Sequence, residues 1–164
     1  MDAIILDLGS NIQGECKLTG YTDKIEVLSY SHNVALQVTN QQSSQRTSGK
    51  AYLGEFSLTK FTDKSTPNLN AYCCQGKNIP IAKITVGRNA GQSSKEIMPY
   101  IVYTLTNAII SNVSVSGGTG GKPVENLSLN FTKIHWEIHI QKDDGNKEGT
   151  AAAAWNLEEN ALSN

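Results

Sequence analysis

At 164 residues, with 38% hydrophobic and 18% charged side chains, the chain is long enough for one globular domain over residues 1–164 and too apolar for a disordered polymer. Fourteen basic against 15 acidic side chains leave a formal net charge of −1, which removes any overall attraction for duplex nucleic acid or an anionic membrane. Three cysteines (Cys16, Cys73 and Cys74) without metal-ligand spacing exclude a disulfide scaffold and read as small buried hydrophobes or bystanders.

In chain order, Asp2 to Leu8 reads as a short strand. Its apolar run, Ala3 to Leu6, lacks a basic flank, so it is no secretory signal, and no segment of the sequence is long and apolar enough to span a bilayer. A turn around Gly9 to Gly14 follows. Ile25 to Val38 reads as one long strand with Leu28, Tyr30, Val34, Leu36 and Val38 on one face and Ser29, Ser31 and Asn33 on the other. Ile25 and Val27 hold the opposite phase, which predicts a bulge or twist near Leu28. His32 falls on the apolar phase, as a satisfied and partly buried imidazole would. Thr39 to Lys50, TNQQSSQRTSGK, has no apolar residue and reads as a long loop, disordered or functional.

The next stretch, from Gly54 to Gly76, carries the clearest local signals. Tyr52, Gly54, Phe56 and Leu58 share one face of a strand. Ser65 or Thr66 offers a helix cap, Pro67 suits the first turn, and Leu69, Tyr72 and Cys73 form one apolar stripe. Gly76 then supplies a left-handed stop, with Lys77 beside the negative helix end. Beyond it, Ile79 to Asn89 reads as a strand with Ala82, Ile84 and Val86 inward, followed by a turn at Asn89 to Gln92. Glu96 to Ser116 holds apolar residues at odd positions (Ile97, Ile101, Tyr103, Leu105, Ile109, Val113 and Val115) and is long enough to be two strands or one bent near Thr106-Asn107. Val124 to Gln141 shifts phase between Phe131 and Ile134, so an extra residue near Thr132-Lys133 is expected. After a turn at Asp144-Gly145, TAAAAWNL is helical by local propensity but is assigned to a final strand.

The chemistry offered by single motifs is thin. Ser116 to Pro123 lacks the residues of a phosphate loop, and no helix follows it. His135, Glu137 and His139 share a strand face and would bind a metal only with a further protein ligand and a second shell, neither of which the sequence supplies. No nucleophile elbow accompanies the histidines. The glycosylation patterns at Asn112, Asn126 and Asn130 lie within predicted strands and read as background.

Several pieces together resemble a known family. FSLTKFTDKSTPNLNAYCCQGK, IEVLSYS and ENLSLNFTKIHWEI are similar to the haemolysin-coregulated protein (Hcp) family of bacterial type VI secretion systems. The resemblance implies a mainly β fold: a compact barrel of two β-sheets with one flanking α-helix, about Ser65 to Gly76. It also implies a non-enzymatic subunit without cofactor or metal. Copies would close into hexameric rings that stack as the inner tube of a contractile machine, beside sheath and spike proteins, with effector proteins held in the lumen. Such a protein waits in the bacterial cytoplasm and is secreted on firing without a cleaved signal peptide. By residue, the resemblance assigns Ser31, with Ser29 and Asn33, to the lumen wall and cargo contact. Arg46 and Lys50, in the polar loop, are assigned to ring stacking. The family residue before Ser31 is often Trp; here it is Tyr30, and the residue after is His32. The competing expectation is a monomeric β-sandwich that binds a ligand such as carbohydrate.

Overall fold

A computed structural model describes residues 2–39, 47–89, 96–142 and 147–163. The strands are β1 (Ala3–Asp7), β2 (Ile25–Val27), β3 (Ser29–Ser31), β4 (Val34–Thr39), β5 (Thr47–Leu53), β6 (Phe56–Phe61), β7 (Ile79–Asn89), β8 (Ile97–Ser116), β9 (Val124–Asn130), β10 (Lys133–Gln141), β11 (Lys147–Asn156) and β12 (Ala161–Leu162). One helix, α1 (Thr66–Gln75), lies between β6 and β7.

Two sheets share one strand. The first runs β12-β11-β10-β8-β7-β1-β2, and the second runs β3-β6-β9 and returns to β8, every pairing antiparallel. β8 belongs to both because it bends at Asn107, which takes a positive φ of 51°. Up to Ala108 it pairs with β7, and from Ile109 with β9. The bend flips the phase that the sequence alone had carried straight through. Ala108 and Ile110 point inward while Ile109 is exposed, and the irregularity between Ile110 and Asn112 then returns Val113 to the core. Thr132, at the corner between β9 and β10, locks the same place: its N–H donates to the Thr106 carbonyl at 3.1 Å, and its carbonyl accepts from Leu157 N–H at 2.8 Å.

The expected strand from Ile25 to Val38 is three strands in three different pairings: β2 on β1, β3 on β6, and β4 on β5. The phase slip at Leu28 marks the point where the chain leaves one sheet for the other. There the two sheets are joined by the chain itself and by Leu28 N–H donating to the Thr59 carbonyl at 2.7 Å, with no continuous ladder closing the expected barrel among the described residues. Strand β4, with its outward Val34, Leu36 and Val38, leaves the barrel altogether and pairs only with β5. The polar stretch assigned to a loop is therefore partly strand from Thr47, and Tyr52 belongs to this ribbon rather than to the face of Phe56 and Leu58. The turns expected at Asn89 to Gln92 and at Asp144-Gly145 fall largely outside the described residues.

The core lies between the sheets, with Leu6, Ile25, Phe56, Leu58, Ile84, Leu105, Ile110, Leu127, Leu129 and Ile134 almost wholly buried. Helix α1 adds Leu69, whose burial contributes roughly 1.5–3 kcal/mol. Its stop is as expected: Gly76 is left-handed at φ 59°, and Gly76 and Lys77 N–H donate to the Cys73 and Tyr72 carbonyls. Its start differs, since the Ser65 side chain makes no cap to the helix backbone. Instead Asp63 gathers the entry, accepting from Ser65 N–H at 2.9 Å and from the Ser65 hydroxyl, while its own N–H donates to Thr66 Oγ1. The four alanines are strand after all, held in register Ala151–Ile138, Ala152–Glu137, Ala153–Trp136 and Ala154–His135, because pairing with β10 outweighs local helix propensity.

Candidate functional site

The alternation of β6 and β9 puts their apolar residues inward and leaves Ser57, Thr59, Asn126 and Ser128 outward. Register then aligns these with neighbours of the same kind. One row reads Ser31–Ser57–Ser128–Asn112 across β3, β6, β9 and β8, and the next reads Ser29–Thr59–Asn126–Ser114. Within these rows Thr59 Oγ1 donates to Asn126 Oδ1 at 3.0 Å, and on the bulge of β8 Ser111 Oγ donates to the Ser128 carbonyl at 3.2 Å. The rows run out to Phe61 beside Val124 beside Ser116 at one end and to Ile109 beside Asn130 at the other, where exposed Glu55, in the phase of Ser57 and Thr59, precedes β6 as a bordering charge. The result is a water-facing sheet of small polar side chains bearing no formal charge.

The charges of these strands have gone the other way. Lys60, wholly buried, donates to Glu125 Oε2 at 2.8 Å, to Asp63 Oδ1 at 3.0 Å and to its neighbour's Phe61 carbonyl at 2.8 Å. Glu125 is 1% exposed and also accepts from Thr62 Oγ1 at 3.3 Å. All three ammonium protons are thus matched, as a buried charge requires. Through Asp63 the pair also ties the wall sheet to the start of α1.

Of the residues assigned from sequence, Ser29 and Ser31 stand exposed on β3 in this wall. Asn33 does not: it lies in the joint after β3, where its carbonyl accepts from Gly54 N–H at 3.0 Å. Lys50 is exposed on strand β5, with Ala35, Leu36, Gln37 and Tyr52 around it, rather than in a loop. Arg46 lies outside the described residues. Sequence reasoning missed Ser57, Thr59, Asn112, Ser114, Asn126 and Ser128. The available signal was that the alternate positions of FSLT and ENLSLN are all Ser, Thr or Asn.

His32 corrects its expectation too. Neither ring nitrogen has a hydrogen-bond partner, although both are buried. Loss of water holds its pKa below the usual 6.5, with the Gly54 backbone a weaker opposing influence. The ring stacks on Phe56 at 5.5 Å and meets Tyr103, Phe131 and Trp136 at 6.5, 6.0 and 6.3 Å.

On the far sheet a groove of about 430 Å³ is lined by Asp7, Lys24, Lys83, Glu137 and His139, among others. Its charges are largely matched within the chain: Lys24 to Asp7 at 2.9 Å, and His139 Nε2 to Glu137 at 3.0 Å. His139 Nδ1 meets Thr150 Oγ1 at 3.3 Å, so both nitrogens of this ring are already engaged. Among the described residues no group of three or more His, Cys, Asp or Glu side chains is placed to hold a metal ion.

Comparison with known proteins bears on the family and the fold. Residues 6–138 match the family described as "Type VI secretion system effector, Hcp". The chain is 34% identical over 153 residues to Protein hcp1 of Pseudomonas aeruginosa, covering 92% of each. Its structure superposes on a crystal structure of Hcp1 from Salmonella typhimurium with a TM-score of 0.80 at 27% identity, over 99% of both chains. It superposes on another solved type six secretion system protein with a TM-score of 0.90 at 24% identity, over 99% of this chain and all of that one, a likeness of fold. The chain belongs to the Hcp family of type VI secretion proteins.

Proposed function

We propose that this protein is a structural subunit of the secretion tube, not a catalyst: copies close into hexameric rings, the rings stack, and the neutral wall lines the lumen where effector proteins are carried. The uncharged polar face of β3, β6, β9 and β8 carries this reading. A conduit that passes folded proteins of differing charge needs walls that wet easily and hold nothing tightly. Serine, threonine and asparagine meet both demands, because each hydrogen bond to cargo replaces one to water with little net gain. Contacts between copies are supported by the β4–β5 ribbon, where Val34 and Leu36 are 55% and 50% exposed. A lone two-stranded ribbon is marginal in water, and an apolar face of this kind invites a neighbour. One heterologous contact that closes gives a ring, and a second, axial contact that does not close gives a tube. Lys50, on the ribbon, belongs to the axial contact with Arg46. The opposite, charged sheet turns away from the lumen, toward sheath and spike partners. The protein is held in the cytoplasm until the machine fires and is then secreted.

Electron microscopy and native mass measurement of the purified protein test this directly. Annular particles of hexamer mass are expected, and a stable monomer at micromolar concentration overturns the reading in favour of a monomeric binding module. Ser31→Gln then tests the wall, with cargo retention impaired and rings intact. Equal loss of rings and cargo would mean that Ser31 is misplaced.

A further inference from the structure

His32 stands at an unusual point of the chain. Ser31 ends the wall strand in register with Ser57, and Val34 begins the ribbon in register with Leu53, so only His32 and Asn33 join the two. Asn33 holds its side of the joint through the Gly54 N–H, and a Cβ on Gly54 would collide with the Asn33 carboxamide. The other half of the joint is the imidazole, inserted among Phe56, Tyr103, Phe131 and Trp136 from β6, β8, the β9–β10 corner and β10. These neighbours offer it aromatic surface, neither buried nitrogen makes a hydrogen bond of ordinary geometry, and the Gly54 backbone is the polar group that favours the protonated ring, more weakly than burial opposes it.

We propose that His32 is a proton-released latch: neutral, it fastens the ribbon to the barrel, and on taking a proton it leaves the aromatic pocket and frees the ribbon from the wall. A buried cation without a counter-charge is far costlier than a buried neutral ring. Tyr103 is the titratable side chain in ring contact with it among the described residues. Burial, then the Tyr30 hydroxyl, raises the Tyr103 pKa, so it stays neutral and gives the imidazolium no anion. Released and solvated, the ring regains the ordinary value near 6.5. In the pocket that value is lower, so the open form takes the proton first. The latch is therefore at full strength above about pH 6.5 and weakens as pH falls toward the folded value, the open fraction rising about tenfold per unit. Its consequence for rings rests on the tube reading, since the ribbon is the proposed contact between copies; the latch itself is a property of one chain.

Hydrogen–deuterium exchange of the intact protein, corrected for intrinsic rates, reads the opening of peptides within 34–38 and 49–53 between about pH 7.5 and about pH 5. The wild type is expected to show the tenfold-per-unit rise and His32→Phe to show none. Equal pH dependence in the two, or a flat wild type, overturns the proposal. Should His32→Phe fail to fold, His32→Trp serves the same comparison, and NMR of the wild-type imidazole supplies an independent reading. An imidazole that titrates near 6.5 while the ribbon stays protected overturns the latch. Rings that survive acid in the phenylalanine variant but dissociate in the wild type extend it to assembly. Chains that never form rings yet show the pH-dependent opening support the latch and sink only the tube.

Discussion

Outward from the core on β3, β6, β9 and the second half of β8 stand Ser29, Ser31, Ser57, Thr59, Asn112, Ser114, Asn126 and Ser128. Outward on β1, β7 and β10 stand Asp7, Lys83, His135, Glu137 and His139, with Lys24 and Glu26 beside them. Both faces meet water in the single chain, so solubility alone cannot explain why one carries charge and the other does not. Nor is charge foreign to the strands of the neutral face, since Lys60 and Glu125 sit within β6 and β9 and turn inward to each other. A fold that wanted only a solvated sheet would put such residues outside, where they need no partner. Under the tube proposal the neutral face is a requirement of what touches it, and the buried pair keeps charge in these strands without displaying it.

That pair is where the comparison breaks most readily. Glu125→Gln leaves the Lys60 ammonium buried with a weaker partner, and Lys60→Met leaves two carboxylates facing an apolar chain. Each single change is expected to lower unfolding free energy by about 3–5 kcal/mol, read from denaturant titration. The double change Lys60→Met with Glu125→Leu should recover much of the loss, because an apolar pair needs no compensation. Single variants as stable as the wild type would mean that the charges reach water and that the inward placement is not enforced.

How much of this contrast was legible beforehand follows from what each signal depends on. Alternation is local, so the strands and the inward sides of β6 and β9 could be read directly. Phase slips at Leu28 and near Thr132, and the excessive length around Asn107, located the corners because a barrel wall can bend only where its pleat is interrupted. The α1 helix was readable because stripe and stop agree, though Asp63 rather than Ser65 organises its entry. Which polar residues form one face was not readable, since Ser57 and Asn112 are neighbours only through register with Ser128. The burial of Lys60 and Glu125 was hidden for a related reason: a charge is presumed exposed until its partner, 65 positions away, is known. The ribbon was misread because backbone pairing needs no apolar side chain, and Thr47 and Ser48 pair as well as valine would.

A second test exchanges chemistry between the faces. Ser57→Lys puts a cation on the neutral wall, and Lys83→Ser removes one from the charged face. Neither should change the stability of the chain by more than about 0.5 kcal/mol, both sites being at the surface. Cargo retention by assembled rings is expected to fall about tenfold for Ser57→Lys, equivalent to about 1.4 kcal/mol, because the ammonium meets cargo without a placed counter-charge. For Lys83→Ser no fall is expected. Co-purification of an effector with rings of each variant measures this, and equal retention by both would place the wall elsewhere.

The smallest expected effect lies wholly on the charged face. Glu137→Gln removes the carboxylate that meets His139 Nε2 at 3.0 Å, in a pair whose members are 15% and 30% exposed. Such a partly exposed contact competes with water, so the loss in unfolding free energy should stay below about 1 kcal/mol, and any share that comes from a protonated ring should shrink at about 1 M salt. Thr150 continues to hold the other imidazole nitrogen, and the register of β10 with β11 is set by the backbone ladder rather than by this contact. Thermal melts at two salt concentrations give the number, and cargo co-purification should match the wild type. A loss of several kcal/mol, or of cargo, would give this face the structural or functional weight now assigned to the neutral one, and the division of labour between the sheets would be reversed.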